Sequence, residues 1–169
     1  ALPILELVAT PAVTRATPSP AGVITEDNAV YSYMGFQFNG TKSDGTLVEK
    51  KFFTSADGSI KTDEVEIAKT PVGQKNMIVI LANVNESDFE SITKNVSTYA
   101  DLQQFCMTWV KDDGIFPRNE VILPDGTVKT GIVMCGQVAA EITDGKQLSV
   151  SLKRTVARVK FHITRTYQH

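Results

Sequence analysis

Apolar and polar residues alternate with a period of two in short segments along most of the chain. Residues 30–38 and 46–53 form two such segments, and residues 138–143 and 147–152 form two more. Turn-forming pairs, either Asp-Gly or Asn-Gly, separate the segments and begin at positions 39, 44, 57, 113, 125 and 144. Strict alternation is typical of half-buried β-strands, and these pairs accept the positive φ angles of tight turns. The pattern therefore predicts an antiparallel β domain rich in hairpins.

Several strands have a predicted environment. Residues 77–82 are apolar on both faces, which predicts a central strand covered on both sides. Residues 65–67 alternate briefly and predict a short strand, and Asp144-Gly145 is expected to close a hairpin between its two flanking segments. In the first long strand, one face is predicted to carry Val30, Met34, Phe36 and Phe38.

The apolar spacing changes to a helical period after residue 86. Ser87 and Glu90 have the spacing of a capping box, which predicts a helix from about residue 88. Residues 98–101 repeat this signal weakly and predict a second helix from about residue 99. The apolar stripe that includes Phe105 and Trp109 is interpreted as core packing. We expect this helical insertion, at about 87–110, to cover one end of the sheets.

The first 22 residues differ from the rest. Residues 4–9 can form a strand, but four of the seven prolines lie within the first 20 positions and prevent its continuation. Arg15 is the only arginine before Arg118, so an arginine-specific protease would find one obvious target there. The sequence therefore predicts a strand on a cleavable tether at 1–22, followed by a β domain at 23–169.

The alternation shifts by one residue near the C-terminal end. The apolar positions are even-numbered at Leu148, Val150 and Leu152, and odd-numbered at Val159, Phe161 and Ile163. A β-bulge or a crossing between sheets near residues 153–157 would keep both sets inward. The basic residues of this segment are interpreted as a solvated strand face.

Composition excludes several classes of function. The 169 residues are 42% hydrophobic and 21% charged, which suffices for a packed core. With 17 basic and 19 acidic residues the net charge is −2, whereas a nucleic-acid-binding protein normally has a basic excess. The longest apolar run, at 77–82, is too short to cross a bilayer.

The sequence also has few of the residues that catalysis or metal binding would need. The only histidines are His162 and His169, and no P-loop, nucleophile-elbow, zinc or calcium motif is present. A dyad of Cys106 and His162 would require a chance tertiary contact. We therefore predict no catalytic, cofactor-binding or metal site. Glycosylation sequons begin at residues 39, 85 and 95 but are common by chance.

The two cysteines stand in apolar surroundings 29 positions apart. Cys106 and Cys135 are expected to be reduced and buried, because an unpaired cysteine behaves as a small apolar residue. An extracellular chain could instead pair them as a disulfide, and this alternative stays open.

The order of these segments resembles that in the N-terminal domain of Bacteroidales fimbrillins, the fimbrial subunit proteins of type V pili. The resemblance covers about residues 23–163. Its most specific element is the Leu-x-Arg-x-Val-Ala-Arg-Val pattern of the last strand. The matching segments are 33–41, 47–51, 78–85, 134–136 and 152–159.

The resemblance implies a transthyretin-like antiparallel β-sandwich of about seven strands with one or two short inserted helices. Members are exported to the outer membrane as lipoproteins, cut by an arginine-specific protease, and assembled when a strand from another subunit fills the vacated groove. Arg15 matches the cleavage position. The implied removable strand contains Ile4, Leu5, Leu7, Val8 and Ala9.

The implied setting is the fimbrium at the cell surface of a Gram-negative bacterium. Implied partners are other pilus subunits, the maturation protease and a host or bacterial surface ligand. Nucleic acid is not a partner, and the membrane would be reached only through an upstream lipid anchor. The alternative function is that of a surface β-sandwich lipoprotein that binds a glycan or another extracellular ligand. Family chains usually continue into a second β-sandwich, and this chain ends at residue 169. It is therefore expected to be either an isolated N-terminal domain or a short relative.

Overall fold

The computed structural model describes residues 4–10, 29–58, 62–64, 66–112 and 118–154, which form nine β-strands and two α-helices. The first five strands are β1 (Ile4–Thr10), β2 (Ser32–Phe38), β3 (Leu47–Thr54), β4 (Thr62–Glu64) and β5 (Asn76–Ala82). They are followed by α1 (Glu86–Asn95), α2 (Tyr99–Asp112), β6 (Arg118–Ile122), β7 (Val128–Ile132), β8 (Met134–Ala140) and β9 (Gln147–Arg154).

Seven of these strands form one continuous sheet in the order β3-β2-β5-β8-β9-β1-β4, and β6 pairs with β7 in a separate hairpin. Every pairing is antiparallel except that of β1 with β9, which is parallel. The central position predicted for residues 77–82 is confirmed, because β5 has a strand on each side and is almost fully buried.

The sheet folds back on itself between β8 and β9. These strands pair at only two positions, Met134 with Arg154 and Cys135 with Lys153. Beyond that point β9 crosses over, so that its inward side chains share a buried cluster with Ile78 and Ile80 of β5. Two layers result, β3-β2-β5-β8 and β9-β1-β4. The expected β-sandwich is thereby confirmed.

The predicted hairpin across Asp144-Gly145 is wrong in its pairing. The turn itself is present, since Gly145 has a φ of 65° and the Lys146 amide donates to the Thr143 carbonyl over 3.2 Å. The flanking strands diverge because they belong to different layers. Ile142 is fully buried between them. Its carbonyl accepts from the Thr70 amide at 3.1 Å, and its amide donates to the Thr70 hydroxyl at 2.9 Å.

The sandwich has two buried clusters, one on each face of the first layer. The inter-layer core lies between the layers, and its three β9 members are the residues predicted to point inward: Leu148, Val150 and Leu152. The helix-side core lies under the helices and joins Met34, Phe36, Phe38, Val79 and Leu81 to Ile92, Tyr99 and Leu102.

The face predicted for the first long strand needs correction at Val30. Met34, Phe36 and Phe38 share the helix-side face of β2 as predicted, but Val30 precedes the strand and joins the inter-layer core. The alternation of faces holds only within a strand, and the residues before Ser32 are irregular, so Val30 does not share the face of Met34.

Both predicted helices are present, and α1 begins two residues earlier than expected. Its N-cap is Asn85 and not Ser87, and the Asp88 carboxylate accepts from the Asn85 amide at 3.0 Å. At α2, the Asp101 carboxylate accepts from the Thr98 amide at 2.8 Å, and the Asp101 amide donates to the Thr98 hydroxyl at 3.2 Å. The weak signal at 98–101 was therefore a complete capping box.

The short strand predicted at 65–67 lies earlier, at Thr62–Glu64. Glu66 and Ile67 are irregular, and a side chain from β2 holds the next residue, Ala68. The buried Gln37 amide accepts from the Ala68 nitrogen at 3.0 Å and donates to its carbonyl oxygen at 2.7 Å. The Gln37 side chain thus makes the two hydrogen bonds that the backbone of a neighbouring strand would otherwise make to Ala68.

Two predictions lie outside the described residues. These are the shift in alternation with its second apolar set at 159–163, and the domain boundary at residues 22 and 23. No helix in the described part of the chain combines the length and apolar character needed to span a bilayer.

Candidate functional site

The N-terminal strand lies inside the second layer of the sandwich. β1 runs parallel to β9 in a register of seven residue pairs, from Ile4 with Gln147 to Thr10 with Lys153. On its other side, β4 pairs only with residues Ile4, Leu5 and Glu6. β1 is therefore one strand in from the sheet edge, and a three-residue strand forms that edge.

The register fixes which positions of β1 share a face. Directly paired residues of neighbouring strands lie on the same side of a sheet. Leu5, Leu7 and Ala9 therefore align with the buried Leu148, Val150 and Leu152 of the inter-layer core. Ile4 and Val8 align with the exposed Gln147 and Ser151. All five residues of the predicted removable strand thus lie in one strand, and three of them are paired with buried positions of β9.

β9 obtains most of its backbone pairing from β1. Only Lys153 and Arg154 pair with β8, whereas residues 147–152 pair with β1 and with no other strand among the described residues. Withdrawal of β1 would leave these six consecutive positions without strand partners. Unpaired strand edges next to an apolar core readily accept another strand.

The remaining candidates from the sequence fall in different places. Arg15, His162 and His169 lie outside the described residues. Within the described part of the chain, no three His, Cys, Asp or Glu side chains are close enough together to hold a metal ion.

Both cysteines are unpaired, so the expected free thiols are found. They were expected to be buried, and the structure shows them half-buried against the helix-side core. Burial raises the pKa of Cys106 to about 12 and also raises the pKa of Cys135. Because the thiolate is the reactive form, these thiols are poor nucleophiles at neutral pH.

Asn83, which sequence reasoning missed, joins the sheet to the β6–β7 hairpin. It is fully buried with a φ of 59°, a left-handed conformation that asparagine tolerates better than most residues. Its side chain accepts from the Tyr31 amide at 2.8 Å and donates to the carbonyls of Ala29 at 2.9 Å and Ile132 at 2.8 Å. The only signal in the sequence was an asparagine directly after a buried strand.

Two further asparagines complete this attachment. The Asn85 side chain donates to the Glu120 carbonyl at 2.6 Å and accepts from the Ile122 amide at 3.0 Å, as a neighbouring strand would. Asn119 donates to the Asn83 carbonyl at 3.1 Å. Although Asn85 begins a sequon, both functional groups of its side-chain amide are engaged within the protein.

Comparison with known protein families finds no match, and comparison with curated proteins finds none either. Solved structures do match. A candidate cell adhesion protein of Parabacteroides distasonis aligns with a TM-score of 0.54 at 17% identity, over 91% of this chain and 45% of that one.

Two further structures align with TM-scores of 0.49. One is a fimbrial assembly protein of Parabacteroides distasonis, at 18% identity over 89% of this chain and 51% of the other. The other is the C-terminally truncated tip fimbrial protein Mfa3 of Porphyromonas gingivalis, at 12% identity over 90% and 47%. This chain therefore spans about half the length of these proteins.

At such low identity the likeness to the Parabacteroides distasonis cell adhesion protein establishes the fold. The two-layer sandwich with helices on one face is the architecture implied by the sequence resemblance, and the domain is fimbrillin-like in its fold.

Proposed function

We propose that this chain is a structural subunit domain of a surface pilus, and that it joins neighbouring subunits by strand addition. The observation that carries the proposal is the position of β1 in the sheet, because among the described strands six consecutive residues of β9 pair with β1 alone. The names of similar structures, which include fimbrial assembly and tip proteins, agree with this role.

Proteolysis at Arg15 is the proposed trigger. A cut after Arg15 would separate β1 from the following chain and leave it held only by its pairing with β9 and β4. In the uncleaved chain β1 would stay paired with β9, and subunits would therefore not join until cleavage.

A strand from another subunit would then take the place of β1. Backbone hydrogen bonds to residues 147–152 would supply affinity, and apolar side chains at alternate positions would meet the inter-layer core. The incoming strand therefore needs a two-residue apolar period like that of Leu5, Leu7 and Ala9.

Limited digestion with an arginine-specific protease tests the trigger. We expect release of a peptide ending at Arg15, detected by mass spectrometry, together with higher oligomers in size-exclusion chromatography. Arg15→Ala should prevent both effects. Arg15→Lys is the matched control, because it keeps the positive charge and removes only the arginine that the protease recognises.

The proposal fails if Arg15→Ala is cut at the same position and rate, or if complete cleavage leaves the association state unchanged. A synthetic peptide of residues 1–12 should compete with assembly after cleavage. The same peptide with aspartate at positions 5 and 7 should not compete.

The proposed role requires neither catalysis nor a cofactor, and the domain would stand at the cell surface as part of the fimbrium. Attachment to the outer membrane would pass through a lipid anchor outside this sequence. Elemental analysis after mild chelation should therefore find no stoichiometric zinc or iron, and a stoichiometric metal would contradict this part of the proposal.

A further inference from the structure

A polar cleft opens at the end of the sandwich where β2 leads into β3 and β5 begins. Its volume is about 460 Å³, and it is open to solvent. One wall is the β2–β3 turn, and the other is the loop that precedes β5. The polar side chains that line it belong to Asn39, Thr41, Lys42, Asp44, Gln74 and Lys75.

Hydrogen bonds of the backbone hold both walls in place. The side chain of buried Asn76 accepts from the Gly40 amide at 3.1 Å, and the Gly40 carbonyl accepts from Met77 at 2.9 Å. Further backbone bonds of 3.0 Å join Gly45 to Lys42 and Gln74 to Pro71. A ligand would therefore meet a formed cleft and would not have to order it.

The polar side chains that line the cleft are exposed, and they have no partners in the part of the chain that the structure describes. Within the described residues, none of the six polar side chains makes a hydrogen bond or an ion pair. Lys69, at the same end of the molecule, does pair with Asp144 at 2.8 Å. Lys42 and Lys75 thus leave two cationic groups free in one cleft, next to amide and hydroxyl groups.

The chemistry of this lining points to a hydroxylated anion. Two ammonium groups suit a carboxylate, and the amides of Asn39 and Gln74 can each donate and accept with sugar hydroxyls. No aromatic or aliphatic side chain lines the cleft, which disfavours an apolar ligand. The carboxylate of Asp44 and the lack of an arginine disfavour a phosphate dianion.

We infer that this cleft binds an acidic sugar, a saccharide unit that carries one carboxylate. Lys42 and Lys75 hold the carboxylate, the amides hold ring hydroxyls, and Asp44 accepts from a hydroxyl while limiting the total negative charge. None of the residues that line the cleft belongs to β1 or β9. The inferred binding therefore goes beyond the proposed assembly function.

Titration of the ¹⁵N-labelled full chain with glucuronic acid tests the inference, with glucose as the neutral counterpart. The amides of Gly40 and Gly73 are expected to shift with glucuronate and not with glucose. Lys42→Gln and Lys75→Gln should each weaken binding about fivefold. Asp44→Asn should strengthen it about twofold, because one repulsive charge is removed.

Lys129→Gln is the matched control, since Lys129 lies in the hairpin at the opposite end of the sandwich. The inference is overturned if glucose shifts the same amides, if the two cleft lysines can be replaced without effect, or if inorganic phosphate or an acidic peptide binds as tightly as glucuronate. Arg15→Ala should bind glucuronate normally, so failure of the assembly proposal and failure of this one are distinguishable.

Discussion

At the scale of single residues, Asn83 combines a left-handed backbone with three side-chain hydrogen bonds to two segments, two to residues 29–31 and one to Ile132 of β7. Asn83→Ala removes the three bonds and keeps the unfavourable φ, and we expect a loss of about 3 kcal/mol in the free energy of unfolding. Asn83→Gly also loses the bonds but adopts the φ freely, so it should cost about 1 kcal/mol less. Urea unfolding followed by circular dichroism measures both.

The control for Asn83 is Asn95→Ala. Asn95 is exposed at the end of α1 and its side chain bonds only the Ser91 carbonyl one helical turn earlier. Its replacement should cost less than about 0.5 kcal/mol. Equal losses for the two alanine variants would contradict the role given to Asn83.

The buried thiol of Cys106 makes stability depend on alkaline pH. Burial raises its pKa from 9.0 to about 12, so the folded chain holds the proton more tightly than the unfolded chain does. Stability is therefore complete below pH 9 and falls as the pH rises toward 12. Burial also raises the pKa of Tyr99, which adds to the same loss.

Cys106→Ala should flatten the decline of unfolding free energy above pH 9 relative to the native chain. The slope, and not the stability at neutral pH, is the measurement, because the smaller side chain also loses packing. Ser91→Ala on exposed α1 should leave the slope unchanged. An unaltered alkaline slope in Cys106→Ala would show that this thiol does not titrate as argued.

At the scale of elements, β3 forms one edge of the sheet and carries features that oppose further strand addition. Its register with β2 shifts at Val48. Farther along the strand, Lys50 is exposed and Lys51 is half-buried. Its beginning is bonded to the loop between the helices, where the Leu47 amide donates to the Ser97 carbonyl at 2.9 Å. Bulges and lysines are common protections of edge strands.

Replacing both lysines with valine should therefore promote self-association through the β3 edge. We expect Lys50→Val/Lys51→Val to form soluble oligomers or aggregates at concentrations where the native chain is monomeric, as measured by light scattering. Lys50→Glu/Lys51→Glu keeps the edge charged and should stay monomeric. If both double variants behave alike, charge does not protect this edge.

Local patterns predicted the elements whose environment is local. β2, β3, β5 and both helices follow from alternation, apolar runs and capping residues, all of which operate over a few positions. The pairing predicted next to the Asp144-Gly145 turn was wrong, although β8 and β9 do pair at their far ends. Layer assignment depends on contacts between residues distant in sequence, such as that of Ile142 with Thr70. The cap of α1 was misplaced because Asn85 also serves β6.

At the scale of the whole molecule, the two ends of the sandwich are built differently. The polar cleft lies at the end where β2 finishes and β5 begins, whereas the β6–β7 hairpin and its asparagine attachment lie at the other end of β5. β1 runs along nearly the whole length of β9, since Ile4 pairs with Gln147 at the start of β9 and Thr10 pairs with Lys153 near the end of β9. The candidate site from the sequence was therefore predictable as a strand, but its neighbours β9 and β4 were not.

The register of β1 with β9 gives a direct test of how β1 completes the sandwich. Leu7 aligns with Val150, which is fully buried, and Val8 aligns with the exposed Ser151. Leu7→Asp places a charge at the position paired with buried Val150, and we expect a loss of about 3 kcal/mol in unfolding free energy. Val8→Asp has the same poor strand propensity but lies at the position paired with exposed Ser151, so its loss should be about 1 kcal/mol. Chemical denaturation of the two uncleaved variants measures the difference. Equal losses, or a larger loss for Val8→Asp, would mean that β1 is not seated in this register against the inter-layer core.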